Sequence, residues 1–134
     1  MLVSNVAKTP SVPSPDGFTV ALASDDALKA AVELEADGVH SRHLFTGSAV
    51  SIATVAIGAG AVMSEHMALA PILIQVVHGN VTMTMDGTET HLPEGAIVHV
   101  EAEVRHSILA HEPTRLLVMV LGQHRTIHEQ ERGA

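Results

Sequence analysis

From residue 49 to residue 122, every apolar run is cut short by Gly, Pro, Asp or Asn before it reaches the length of an ordinary helix. The segments are AVSIATVAIG (49–58), PILIQVVHGN (71–80), VTMTMDGTETHLPEG (81–95), AIVHV (96–100), HSILA (106–110) and TRLLVMVLG (114–122). They are rich in Val, Ile and Thr, which suit a pleated, half-buried surface. Within 81–95, alternating runs flank Asp86-Gly87, a pair that favours a two-residue hairpin turn. Roughly eight strands at this close spacing predict an all-β sandwich or barrel.

The segment ahead of the strands reads differently. Residues 1–23 begin with Pro10, Pro13 and Pro15 among Ser, Asn and Gly, which predicts an extended arm. SDDALKAAVELEADG (24–38) predicts a short helix. Ser24 suits the N-cap, Asp25 and Asp26 complement the helix dipole in the first turn, and Gly38 suits the stop. Residues 40–122 then form the barrel, and 123–134 a polar tail.

Composition narrows the chemistry. The 134 residues carry no Cys, so a disulfide framework, a thiolate nucleophile and a Cys-based zinc site are all excluded. Only Phe18 and Phe45 are aromatic, which leaves little for stacking on nucleic-acid bases. The net charge is −8 and the seven Lys and Arg are scattered, which argues against nucleic acid and anionic membranes as partners. No apolar run is long enough for a membrane span, and the N-terminus lacks a signal-peptide pattern. A cytoplasmic location is the expectation. Strands 71–77 and 116–121 are apolar on both faces apart from Gln75, which predicts a second cover: another subunit, making a homodimer, or else the N-terminal arm or the helix.

Glycine and histidine spacing is the most specific signal. Gly60 is followed by His66 after five residues, and Gly79 closes the next strand; Gly95 is followed by five residues, then the EAEVR run (101–105), then His106. This pattern resembles the two motifs of the cupin family, G-x5-H-x-H-x(3,4)-E-x6-G and G-x5-P-x-G-x2-H-x3-N, and the resemblance spans residues 44–122. It implies a small single-domain cupin of the conserved-barrel type: an all-β, double-stranded β-helix, or jelly-roll barrel, with a short N-terminal helix.

Gly60, His66, Gly79, Gly95 and His106 match those motifs. The second histidine slot holds Ala68 and the glutamate slot Ile72; in the second motif Glu101, Glu103 and Ala110 take the proline, glycine and asparagine slots. Cupin sites of the full type use three histidines and a glutamate, so the resemblance carries over only His66 and His106. A divalent ion (Fe, Mn, Ni or Zn) held by that incomplete set is one reading. A metal-free polar spot in an apolar pocket is another, and histidines satisfied by the backbone are a third. His99 is the candidate for a third ligand. Strand parity puts His78 on the face of Ile72, Ile74 and Val76, and His111 away from His106. The expected pocket wall is Val50, Ile52, Ala68, Ile72, Ile74, Val98 and Ile108.

His124 and His128 could clip a metal on a helical tail, although a solvated end is the simpler reading. Glu101 and Glu103 are expected at the barrel rim beside His106. No nucleophile elbow, P-loop or dinucleotide fingerprint is present. Two functions follow: a metal-assisted protein acting on a small organic molecule, or a metal-free ligand-binding or regulatory cupin. Whether the chain is an enzyme stays open at this level.

Overall fold

A computed structural model describes residues 17–34 and 37–122. The expected tail, with His124 and His128, and residues 1–16 of the arm lie outside them. Among the described residues one helix, α1 (Asp25–Ala31), precedes nine strands: β1 (Val39–Thr46), β2 (Val50–Ile57), β3 (Val62–His66), β4 (Ile72–His78), β5 (Val81–Met85), β6 (Thr88–Leu92), β7 (Ile97–Val100), β8 (His106–Ala110) and β9 (Thr114–Leu121).

The strands form two antiparallel sheets, ordered β1-β2-β9-β4-β7 and β3-β8-β5-β6. Alternation along each strand decides which side chains meet between them. Val55 and Ile57, Ile72, Ile74 and Val76, and Leu116 come from the first sheet; Val81, Met83, Leu92, Ile108 and Ala110 come from the second. All are buried in one cluster, and each such aliphatic side chain contributes about 1.5–3 kcal/mol relative to exposure.

The glycines of the sequence motifs do the turning. Gly60, Gly79 and Gly95 all have positive φ, at 78°, 96° and 93°. Gly79 is doubly required, because a Cβ there would run into Pro113 O and Thr114. Asp86 and Gly87 have φ of 53° and 79° and make the predicted tight turn between β5 and β6.

The helix is shorter than the expected 24–38. Ser24 is the N-cap, its Oγ accepting from the Ala27 N–H at 3.0 Å. The helix stops at Ala31 because Val32 turns extended and buries its side chain (φ −146°, ψ 126°). Two arginines from the barrel take the freed carbonyls. Arg115 Nε donates to Val32 O at 2.9 Å and Arg42 Nη1 to Ala31 O at 3.4 Å, placing positive charge at the negative end of the helix dipole. At the other end His78 Nε2 lies 2.7 Å from Asp25 Oδ1. Parity had placed His78 inward. A register shift between Val76 and His78 turns it outward, under the helix.

Among the described residues, no helix is long and apolar enough to cross a membrane.

Candidate functional site

His66 ends β3 and His106 opens β8, and the register of those strands makes them direct partners. Their ring centroids are 4.2 Å apart with the planes inclined at 62°. His106 is 1% exposed, while His66 is half-buried and borders an open cleft of about 390 Å³ lined also by Val39, Val62, Met63 and Ser64. One imidazole is therefore in the core and its neighbour is within reach of a small molecule from outside.

The backbone sets the tautomers. His66 Nδ1 is 2.9 Å from Ser64 O, and His106 Nδ1 is 3.1 Å from Val104 O. A carbonyl only accepts, so each Nδ1 carries the proton and each neutral ring keeps its lone pair on Nε2. The Nε2 of His106 is buried without a hydrogen-bond partner. Burial pushes the His106 imidazole below its ordinary value of 6.5; the Val104 carbonyl opposes this, and the neighbouring His66 adds to the lowering. His106 is thus a neutral, buried lone-pair donor, the form that binds metals.

The loop before His106 is held in place by an unusual residue. Glu103, in the slot where the cupin motif has glycine, adopts φ 66° and donates its N–H to Ala68 O at 2.7 Å. It lines a second open cleft with Glu65, Asp86, Val104 and Arg105, consistent with the rim position expected for it. Glu101 is exposed, with its carboxylate 3.8 Å from His99 Nδ1.

The other expected site residues divide by face. Ile72, Ile74 and Ile108 are buried in the core, and Ala68 and Val98 pack against it. Val50 and Ile52 are corrected: they pair with Leu121 and Met119, opposite in parity to the core-facing Val118 and Val120, and so lie on the outer face of the five-stranded sheet. His99 is corrected too. It alternates with the buried Val100 and shares the outer face with Ile97, so it points away from His66 and His106. His111 faces out as expected, 2.6 Å from Thr82 Oγ1.

The donor chemistry fits a transition-metal ion only in part. Two imidazole nitrogens are suitable, and the orphaned Nε2 of His106 fits such an ion well. A carboxylate-containing set does not fit, since Ala68 and Ile72 occupy its slots. Among the described residues, no group of three or more His, Cys, Asp and Glu side chains could share one ion. What sequence reasoning missed is Met85, which the β5–β8 register sets directly opposite His106. The only hint was the i, i+2 spacing of Met83 and Met85, which puts both on one face.

No protein-family model matches the sequence, and no curated protein matches it either. Solved structures do. A cupin superfamily protein from Desulfitobacterium hafniense superposes with a TM-score of 0.67 at 21% identity, over 78% of this chain and 97% of that one. An RmlC-like cupin from Desulfovibrio desulfuricans gives 0.62 at 18% identity, over 67% and 88%. A salicylate 1,2-dioxygenase from Pseudoaminobacter salicylatoxidans gives 0.61 at 16% identity, over 70% of this chain and 27% of that larger one. These likenesses agree with the two facing antiparallel sheets and with the glycine and histidine spacing: the chain has the fold of a small RmlC-like cupin.

Proposed function

We propose that this small cupin holds a transition-metal ion at His66 and His106 and binds a small organic molecule beside it. One observation carries the reading: the Nε2 of His106 is buried and unpartnered while its Nδ1 is tied to the backbone. Leaving such an atom unsatisfied costs about 1–3 kcal/mol, a cost that a bound ion removes. The cleft of Val39, Val62, Met63 and Ser64 supports entry of the organic molecule at His66. A bound ion would offer an open coordination position to a donor atom of that molecule. The protein's own part is to orient both imidazoles and to surround them with apolar side chains. That the fold occurs within a salicylate 1,2-dioxygenase supports a barrel able to host chemistry on small organic molecules.

A second reading, a metal-free ligand-binding or regulatory cupin, is favoured by Ala68 and Ile72 in the ligand slots. Metal analysis of untagged protein, repeated on His66→Ala and His106→Ala, separates the two. The metal reading expects about one ion per chain, lost in both variants; less than about 0.1 equivalent would support the metal-free reading instead.

We also infer a homodimer through the outer face of the five-stranded sheet. Ile52, Met119 and Leu73 form a cross-strand row there, with Val50 and Leu121 beside it, all only half-buried. A second copy would cover them.

A further inference from the structure

We propose that the ion the site selects is monovalent copper, and that Met85 is its third protein ligand. The proposal rests on the reading that His66 and His106 hold a metal, and it names the metal. Its basis is register. β3 pairs His66 with His106, and β5 pairs Met85 with the same His106, so the three residues form one continuous row across the four-stranded sheet. His106 is buried on the inner face, and Met85 packs against the core from that same face. Directly opposed side chains have Cβ atoms about 4.5–5.5 Å apart, and methionine has three rotatable bonds with which to bring its sulfur to a neighbour. The next row inward is Met63, Ile108 and Met83. Three of the chain's six methionines thus line the wall that carries the two histidines.

Two chemical arguments converge on the identity of the ion. Thioether sulfur is a soft donor that selects Cu(I), and imidazole serves copper as well as it serves harder ions. The second argument is charge. Two neutral imidazoles and a thioether contribute none, so the whole charge of the ion stays in an apolar wall. Desolvation cost grows with the square of the charge, so a divalent ion would meet about four times the penalty of a monovalent one. A site that has a carboxylate offsets the charge of a divalent ion. This one has Ile72, 4% exposed, where the cupin motif has glutamate. Cu(I) is also at ease with two or three ligands, which is the number this wall supplies.

The test is anaerobic titration of the untagged full chain with Cu(I) against a chromophoric Cu(I) chelator, with Zn(II) titrated in parallel, followed by copper-edge X-ray absorption. The expected result is about one Cu(I) per chain with one sulfur and two imidazole scatterers. Met85→Leu, which nearly conserves volume, should remove the sulfur scatterer and weaken Cu(I) by about tenfold or more while leaving Zn(II) binding little changed. Copper bound without a sulfur scatterer, or with unchanged affinity in Met85→Leu, overturns the proposal while the two-histidine reading stands. Failure of both Cu(I) and Zn(II) to bind overturns both. The wild-type absorption spectrum reads the sulfur directly, so the proposal is tested even where a variant folds poorly.

Discussion

His66 and His106, forty residues apart in the chain, meet as direct cross-strand partners with ring centroids 4.2 Å apart, each with Nδ1 fixed by a carbonyl two residues upstream. Both imidazoles are thereby oriented by backbone alone, without an acidic partner. The pair is a feature of the strands and not of flexible side chains, which is why its removal should have separable effects on stability and on binding.

The first prediction concerns that separation. His106 carries a buried, unsatisfied Nε2, so His106→Leu removes a desolvation cost as well as one hydrogen bond to Val104 O. In urea unfolding, stability should change by no more than about 1 kcal/mol in either direction, while metal binding is lost. A loss above about 3 kcal/mol would mean that the imidazole is a structural element of the core.

Glu103 occupies the left-handed region at φ 66°, which costs an L-residue with a Cβ about 1–2 kcal/mol. Glu103→Gly restores the residue type that the cupin motif has in this slot. The larger unfolded-state entropy of glycine offsets part of the gain, so the net stabilisation should be about 0.5–1 kcal/mol in urea unfolding. A destabilised variant would show that the carboxylate has a compensating partner.

Asp25 links the helix to the barrel. Its carboxyl lies below the ordinary value of 3.8, chiefly through the hydrogen bond to His78; desolvation opposes this, and the charge of His78 and then the hydrogen bond and charge of Lys29 add to the lowering. A lowered folded-state value means that the unfolded chain binds more protons near that pH. The stabilisation is therefore present above 3.8 and is lost as pH falls through the lower folded value. Asp25→Asn should have a lower Tm than the parent at pH 7, and the gap should close as pH falls below about 3.8. A gap independent of pH would rule out the ion pair as its source.

Met119 sits at the centre of the outer row between Ile52 and Leu73. Met119→Glu places a charge in each half of the inferred dimer contact. Sedimentation velocity should show the parent as a dimer and the variant as a folded monomer. A parent that sediments as a monomer at about 100 μM contradicts the dimer inference.

Much of this was legible in the sequence, for identifiable reasons. Gly60, Gly79, Gly95 and the Asp86-Gly87 pair mark positions where the backbone needs positive φ, a local requirement that residue type records directly. The spacing between those glycines and His66 and His106 fixed where each histidine falls along its strand. Faces were harder to read. Val50 and Ile52 lie in a strand whose two faces each carry one hydroxyl residue, Ser51 and Thr54, among apolar ones, so alternation could not say which side is in. His78 was misplaced by a register shift that parity cannot foresee. Met85 was invisible as a site residue because its relation to His106 exists only in the pairing of β5 with β8.

The most direct test of the central claim is the protonation and metal response of the two imidazoles, read by nitrogen-15 NMR of histidine-labelled protein. With metal removed, both rings should show Nδ1 protonated and Nε2 bare, and added ion should shift both Nε2 resonances together. A proton on either Nε2, or an ion that moves neither resonance, would contradict the assignment of His66 and His106 as a metal-holding pair.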